Sequence, residues 1–174
     1  MRVENHSLDF KMRALEKISR ALNRLLVFIG GFFLVGMIVL ACANIFSRLV
    51  WVPIRGTFEL MGYFGAVVTA FALGYTQIHK GHIAVDVLVN TFSKQTRRII
   101  HIINHLIAAG FFGLAAWQIS IKATTLLRTG EVTETLRMIY YPFTYAVALG
   151  CIVLALVLVT DLLKLLIPEK EISN

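Results

Sequence analysis

The 174-residue chain has a formal charge of +7, yet it is 57% hydrophobic and only 16% charged, with a mean hydropathy of +0.75. A soluble domain of this length seldom has such a composition, and the apolar runs leave no room for a sizeable soluble domain. The basic residues flank apolar segments, which is how membrane topology determinants are distributed, and this argues against a nucleic-acid-binding patch.

In chain order, Met1 to Asn23 is polar but patterned. Leu8, Met12, Leu15, Ile18 and Leu22 recur at helical spacing, and Lys11, Arg13, Lys17, Arg20 and Arg24 occupy other faces. This predicts a basic amphipathic helix over residues 1–24, lying on membrane lipid with its apolar side in the headgroup region. A first span is expected over residues 25–46. Ala41-Cys42-Ala43 imitates a signal-peptidase site and Val39-Leu40-Ala41-Cys42 a lipoprotein box, but the run is longer and starts later than a cleavable signal core, so an uncleaved anchor is expected. Cys42 and Cys151 both sit within apolar runs and read as small hydrophobes, not a disulfide.

The link from Ser47 to Thr57 holds Trp51 and Pro53, which suit an interfacial turn. A second span is expected over residues 58–78. Gly62, Ala66, Ala70 and Gly74 recur every fourth residue along it, a stripe of small side chains that lets another helix approach closely. Glu59 stands at its outer end. The span stops at His79-Lys80-Gly81-His82, with Asp86 four residues on. Val85, Leu88, Val89 and Phe92 then predict a second interfacial amphipathic helix, ahead of Lys94, Arg97 and Arg98.

A third span is expected over residues 99–121, with Ala109 and Gly113 as a second small pair. The link from Lys122 to Tyr141 is the longest between spans and holds Gly130, Glu131, Glu134 and Arg137. Tyr140-Tyr141-Pro142 opens a fourth span over residues 143–160; Asp161 and Lys164 end it, and residues 165–174 form a charged tail. The fold expected is an all-α, integral membrane four-helix protein, with 25–164 as its membrane domain. Twelve of the 17 Lys and Arg residues fall in the N-terminal segment, the middle link and the tail. The positive-inside bias therefore predicts a multi-pass membrane protein with both termini and the His79–His82 turn on the cytoplasmic side.

Ionisable residues in mid-span mark ion or proton paths. Here Glu59, Asp161 and Lys164 all lie near span ends, so the chain does not read as a pump or transporter by itself. It has no P-loop and no dinucleotide fingerprint, and no catalytic, cofactor or metal site is expected. The competing signal is histidine. His101 and His105 lie one turn apart, with His79 and His82 near the same membrane face. Haem b needs two histidines from different helices at matched depth. A membrane-anchor subunit of a haem-b redox complex is therefore the alternative reading.

Phe58-Glu59-Leu60, the small-residue helix and Gly81-His82-Ile83-x-Val85-Asp86 resemble the small membrane subunit (the Q component) of tripartite ATP-independent periplasmic (TRAP) transporters. Gly130-Glu131-x-Thr133-x-x-Leu136 and Pro142 add to the resemblance, which covers the chain from about Arg24 to Lys164. It implies two protein partners: a periplasmic substrate-binding protein that captures a solute, often a carboxylate, and a large multi-span permease subunit that moves it on a sodium gradient by an elevator-type motion. The small subunit would brace the permease. Glu59, Gly81, His82 and Asp86 are the family-motif positions, with structural roles expected.

Overall fold

Each helix follows from an apolar run too long for any other element that can cross a bilayer. The structure, a computed structural model, describes residues 2–79 and 93–166, with side chains from residue 14 onward apart from 94 and 166. Helix α1 spans Arg2–Val50, α2 Thr57–Ile78, α3 Lys94–Thr129 and α4 Tyr141–Leu166. All four are long and apolar enough to cross a membrane. The chain is thus an all-α, four-helix membrane protein. Within the described residues its only β-type pairing is an isolated bridge between Val132 and Ile139.

Local chemistry sets the helix ends. After α1, Ser47 Oγ donates to the Val52 carbonyl at 2.6 Å and Asn44 Oδ1 accepts the Ile54 N–H at 3.0 Å, holding a short turn ahead of α2. Ser93 caps α3, its Oγ accepting the Thr96 N–H at 3.4 Å. Gly130 ends the same helix in the left-handed region at φ 65°, donating its N–H to the Leu126 carbonyl.

Two elements run beyond the segments drawn from sequence. The amphipathic N-terminus and the first span form one helix of 49 residues, about 74 Å long. No break separates them, and Ser19, Asn23 and Leu26 are all buried in the bundle. Helix α3 continues through Lys122 to Thr129, a stretch that reads as link by its polarity. Tertiary packing overrides that signal: Ala123 and Leu126 are almost wholly buried, and Thr124 Oγ1 lies 3.0 Å from the Tyr145 hydroxyl of α4. Residues 80–92, including the predicted interfacial segment, lie outside the described residues.

Helix α4 packs against all three others, and α2 lies against both α1 and α4, whereas α3 rests on α4. The core joins Leu26 of α1, Val67, Ala70 and Phe71 of α2 and Val153 of α4. At its centre the α2 and α4 backbones meet: a Cβ at Gly150 would come within 2.6 Å of the Ala70 carbonyl oxygen. Toward the α2 N-terminus, aromatic rings extend the packing to both neighbours, Phe33 of α1 sitting edge-on to Phe64 of α2 at 5.1 Å and Tyr63 of α2 stacking on Phe143 of α4 at 5.4 Å. The outward faces of α1 and α3 carry large apolar residues such as Phe28, Phe32, Leu106 and Trp117. That is the surface that acyl chains or another membrane helix would cover.

Candidate functional site at the Glu59 end

Glu59 lies in the first turn of α2, where a carboxylate is favoured by the helix dipole. It reaches across to the link between α3 and α4. Glu59 Oε1 accepts the Thr135 N–H at 2.8 Å and Oε2 accepts the Leu136 N–H at 3.2 Å. Each carboxylate oxygen thus satisfies one main-chain donor of a turn. The arrangement is a clamp, since both oxygens are already engaged.

The rest of the link is built around that clamp. Thr133 is buried; its N–H donates to the Met138 carbonyl at 2.9 Å and its Oγ1 accepts the Met138 N–H at 3.1 Å. This closes a tight loop that puts Arg137 at φ 51°, a left-handed conformation unusual for a residue with a Cβ. Leu136 is driven onto Gly56, which has φ 74° and where any Cβ would collide with the leucine side chain. Two separate constraints, backbone angle and space, therefore require glycine there. Tyr140 donates its hydroxyl to Glu131 Oε1 at 2.7 Å, and this bond pushes the phenol up to about 12. Its ring stacks on Tyr63 of α2 at 5.5 Å.

Of the other residues singled out in the sequence, the small stripe on α2 divides. Ala70 faces Gly150 of α4 and Gly74 faces the Asn23 side chain of α1, whereas Gly62 and Ala66 are exposed, with open space around Gly62. Helical geometry gives the reason. Each four-residue step advances about 40° beyond a full turn, so three steps rotate the stripe by about 120°. Ala109 is half-buried on α3, and Gly113 is exposed with open space around it. Gly81, His82 and Asp86 lie outside the described residues. His79 closes α2, its Nδ1–H donating to the Tyr75 carbonyl at 3.0 Å. His101 and His105 share one helix with ring centres 6.4 Å apart, and His105 Nδ1–H donates to the His101 carbonyl at 2.8 Å. Among the described residues, no group of three or more His, Cys, Asp or Glu is placed to hold a metal ion.

The family model for tripartite ATP-independent periplasmic transporters, DctQ component, matches residues 37–167. The chain belongs to that family. Within the matched region of this DctQ-family chain, the Glu59 clamp joins two stretches that stand far apart in sequence. No curated protein and no solved structure matches the chain. Membership makes it the small membrane subunit of a TRAP transporter and, with its four apolar helices, a multi-pass inner-membrane protein.

Several residues central to the bundle carry little sequence signal. Gly150 looks like any glycine in a span until Ala70 is placed against it. Asn23 reads as one polar residue in an amphipathic helix, but it is 2% exposed, with Oδ1 against Gly74. Gly56 had the clearest available cue, a glycine three residues after Pro53 at the mouth of a helix.

Proposed function

We propose that this chain is the fixed brace of its transporter, holding the large permease subunit in the bilayer during sodium-driven, binding-protein-dependent uptake of a small organic acid. The single observation that carries the reading is the double closure of the bundle. Glu59 fastens the α3–α4 link to the start of α2, and the Ala70–Gly150 contact fastens α2 to α4 at mid-bundle. A permease whose transport part moves needs a neighbour that does not, and a bundle locked at two depths suits that role.

In this reading the large subunit covers the outward apolar faces, and the periplasmic binding protein delivers solute to the permease. Both termini face the cytoplasm, following the bias in Lys and Arg. The family-motif residues Glu59, Gly81, His82 and Asp86 act structurally, and the chain is not an enzyme.

Purification tests this. A tagged chain co-expressed with the permease should retain it through detergent extraction. Purified alone, it should give no heat with organic acids and sodium, and no Soret band. Stoichiometric solute binding by the isolated chain would overturn the brace reading, and a haem spectrum would establish the redox-anchor alternative.

A further inference from the structure

A groove of about 1140 Å³ opens between α2 and α3 at the end of the bundle opposite Glu59, floored by α4 and reached by α1. Its two ends differ in chemistry. The outer part carries four cations, Arg20 from α1, Arg97 and Arg98 from α3 and Lys164 from α4, against two carboxylates, Glu16 and Asp161. Glu16 is already engaged by both Arg20 and Lys164, the latter at 3.0 Å, and Arg98 donates to the Leu165 carbonyl at 2.8 Å. Arg97 has no acid partner among the described residues. His101, Asn104 and His105 add polar groups one to two turns further in. Beyond them the walls become apolar, with Leu73, Phe112, Leu154 and Leu158.

Positive charge at the mouth and hydrocarbon within match an amphiphile with an anionic head. Along α3, Arg97 to Phe112 covers about 22 Å, which is about half of a bilayer measured with its headgroups. The volume exceeds a typical small-molecule site, and the apolar inner wall offers a small carboxylate nothing to bind. Basic pockets between membrane helices are a known setting for anionic headgroups.

We propose that this groove binds one anionic phospholipid. Its phosphate is held chiefly by Arg97, with Arg20 and Lys164 sharing their N–H donors between it and Glu16, and an acyl chain runs inward past Phe112 and Leu154. The lipid fills the gap left between α2 and α3 and wedges α3 against α4. This inference needs only a membrane-embedded bundle and is independent of the brace role.

The test is native mass spectrometry of the full chain released from nanodiscs of equal phosphatidylglycerol and phosphatidylcholine. Wild type should retain a single phosphatidylglycerol in clear excess over phosphatidylcholine. Arg97→Gln and Lys164→Gln should each weaken retention about fivefold, while Lys17→Gln, an exposed cation outside the groove, should leave it unchanged. Inorganic phosphate at millimolar concentration should neither bind nor displace the lipid. Size-exclusion profiles and helical circular dichroism confirm that each variant is folded, and Phe112→Glu supplies an independent disruption at the apolar end. Equal retention of both lipids by wild type, or phosphatidylglycerol retention unchanged in Arg97→Gln and Lys164→Gln, would overturn the proposal. So would displacement by free phosphate.

Discussion

Glu59 and Leu136 stand 77 residues apart in sequence, yet a carboxylate oxygen of the first receives the main-chain N–H of the second at 3.2 Å. A glutamate in the first turn of a helix ordinarily serves its own N-terminus. Here it serves a different segment, so the start of α2 and the link before α4 hold each other in place. Glu59→Ala should free the link, making it more open to trypsin at Arg137 while leaving the helical content intact. Glu59→Gln keeps an acceptor for one of the two N–H groups and should fall between. Proteolysis of Glu59→Ala at the wild-type rate would show that the link is held by other contacts.

Gly56→Ala should destabilise the bundle by two separable routes. The left-handed backbone costs about 1–2 kcal/mol for a residue with a Cβ, and the collision with Leu136 adds about 1–3 kcal/mol. Leu136→Ala in the same chain should recover the second part only. A thermal-denaturation double-mutant cycle in detergent would then show clear coupling. Strict additivity would mean that the two residues do not meet.

The division of the small stripe makes four substitutions behave in two ways. Ala70→Leu should cost about 1–3 kcal/mol through overpacking against Gly150, and Gly74→Ala should force Asn23 out of its buried position with a similar loss. Gly62→Ala has open space and should be neutral or up to about 1 kcal/mol stabilising. Ala66→Leu should leave the isolated bundle unchanged, so that any effect appears only in permease retention. Equal behaviour of all four in thermal melts would contradict the packing.

The Tyr140–Glu131 bond has a pH signature. The folded protein holds the Tyr140 phenol to about 12, chiefly because its hydrogen bond to Glu131 favours the protonated form. A raised acid pKa stabilises the fold below the ordinary tyrosine value near 10 and loses that contribution as pH rises through the folded value. Ultraviolet titration should therefore show one of the five tyrosines ionising last. Glu131→Gln should bring it back toward the ordinary range, whereas an unchanged curve would place the hydroxyl elsewhere.

The four helices were legible because each is a nearly unbroken apolar run, and in a bilayer such runs have no other backbone solution. Their ends were less so. Lys122 to Thr129 is polar enough to read as link, yet Ala123 and Leu126 hold it in helix through contacts that no local pattern encodes. Glu59 stood out as a charge at a span boundary, but nothing within α2 points to Thr135 or Leu136 as its partners. The small stripe was visible as a repeat. Its rotation around the helix, and hence which residues meet α1 and α4, follows from the 3.6-residue turn once those helices are placed. Asn23 was hidden most completely, since burial turns an unremarked polar residue into one that fixes how α1 approaches α2.

Sodium-driven uptake into proteoliposomes holding the permease and the binding protein, measured with and without this chain, tests the brace role most directly. Uptake is expected only when the chain is present, and is expected to decline with Ala70→Leu, which loosens the bundle without touching a solute. Uptake at an unchanged rate in vesicles that lack the chain would contradict it.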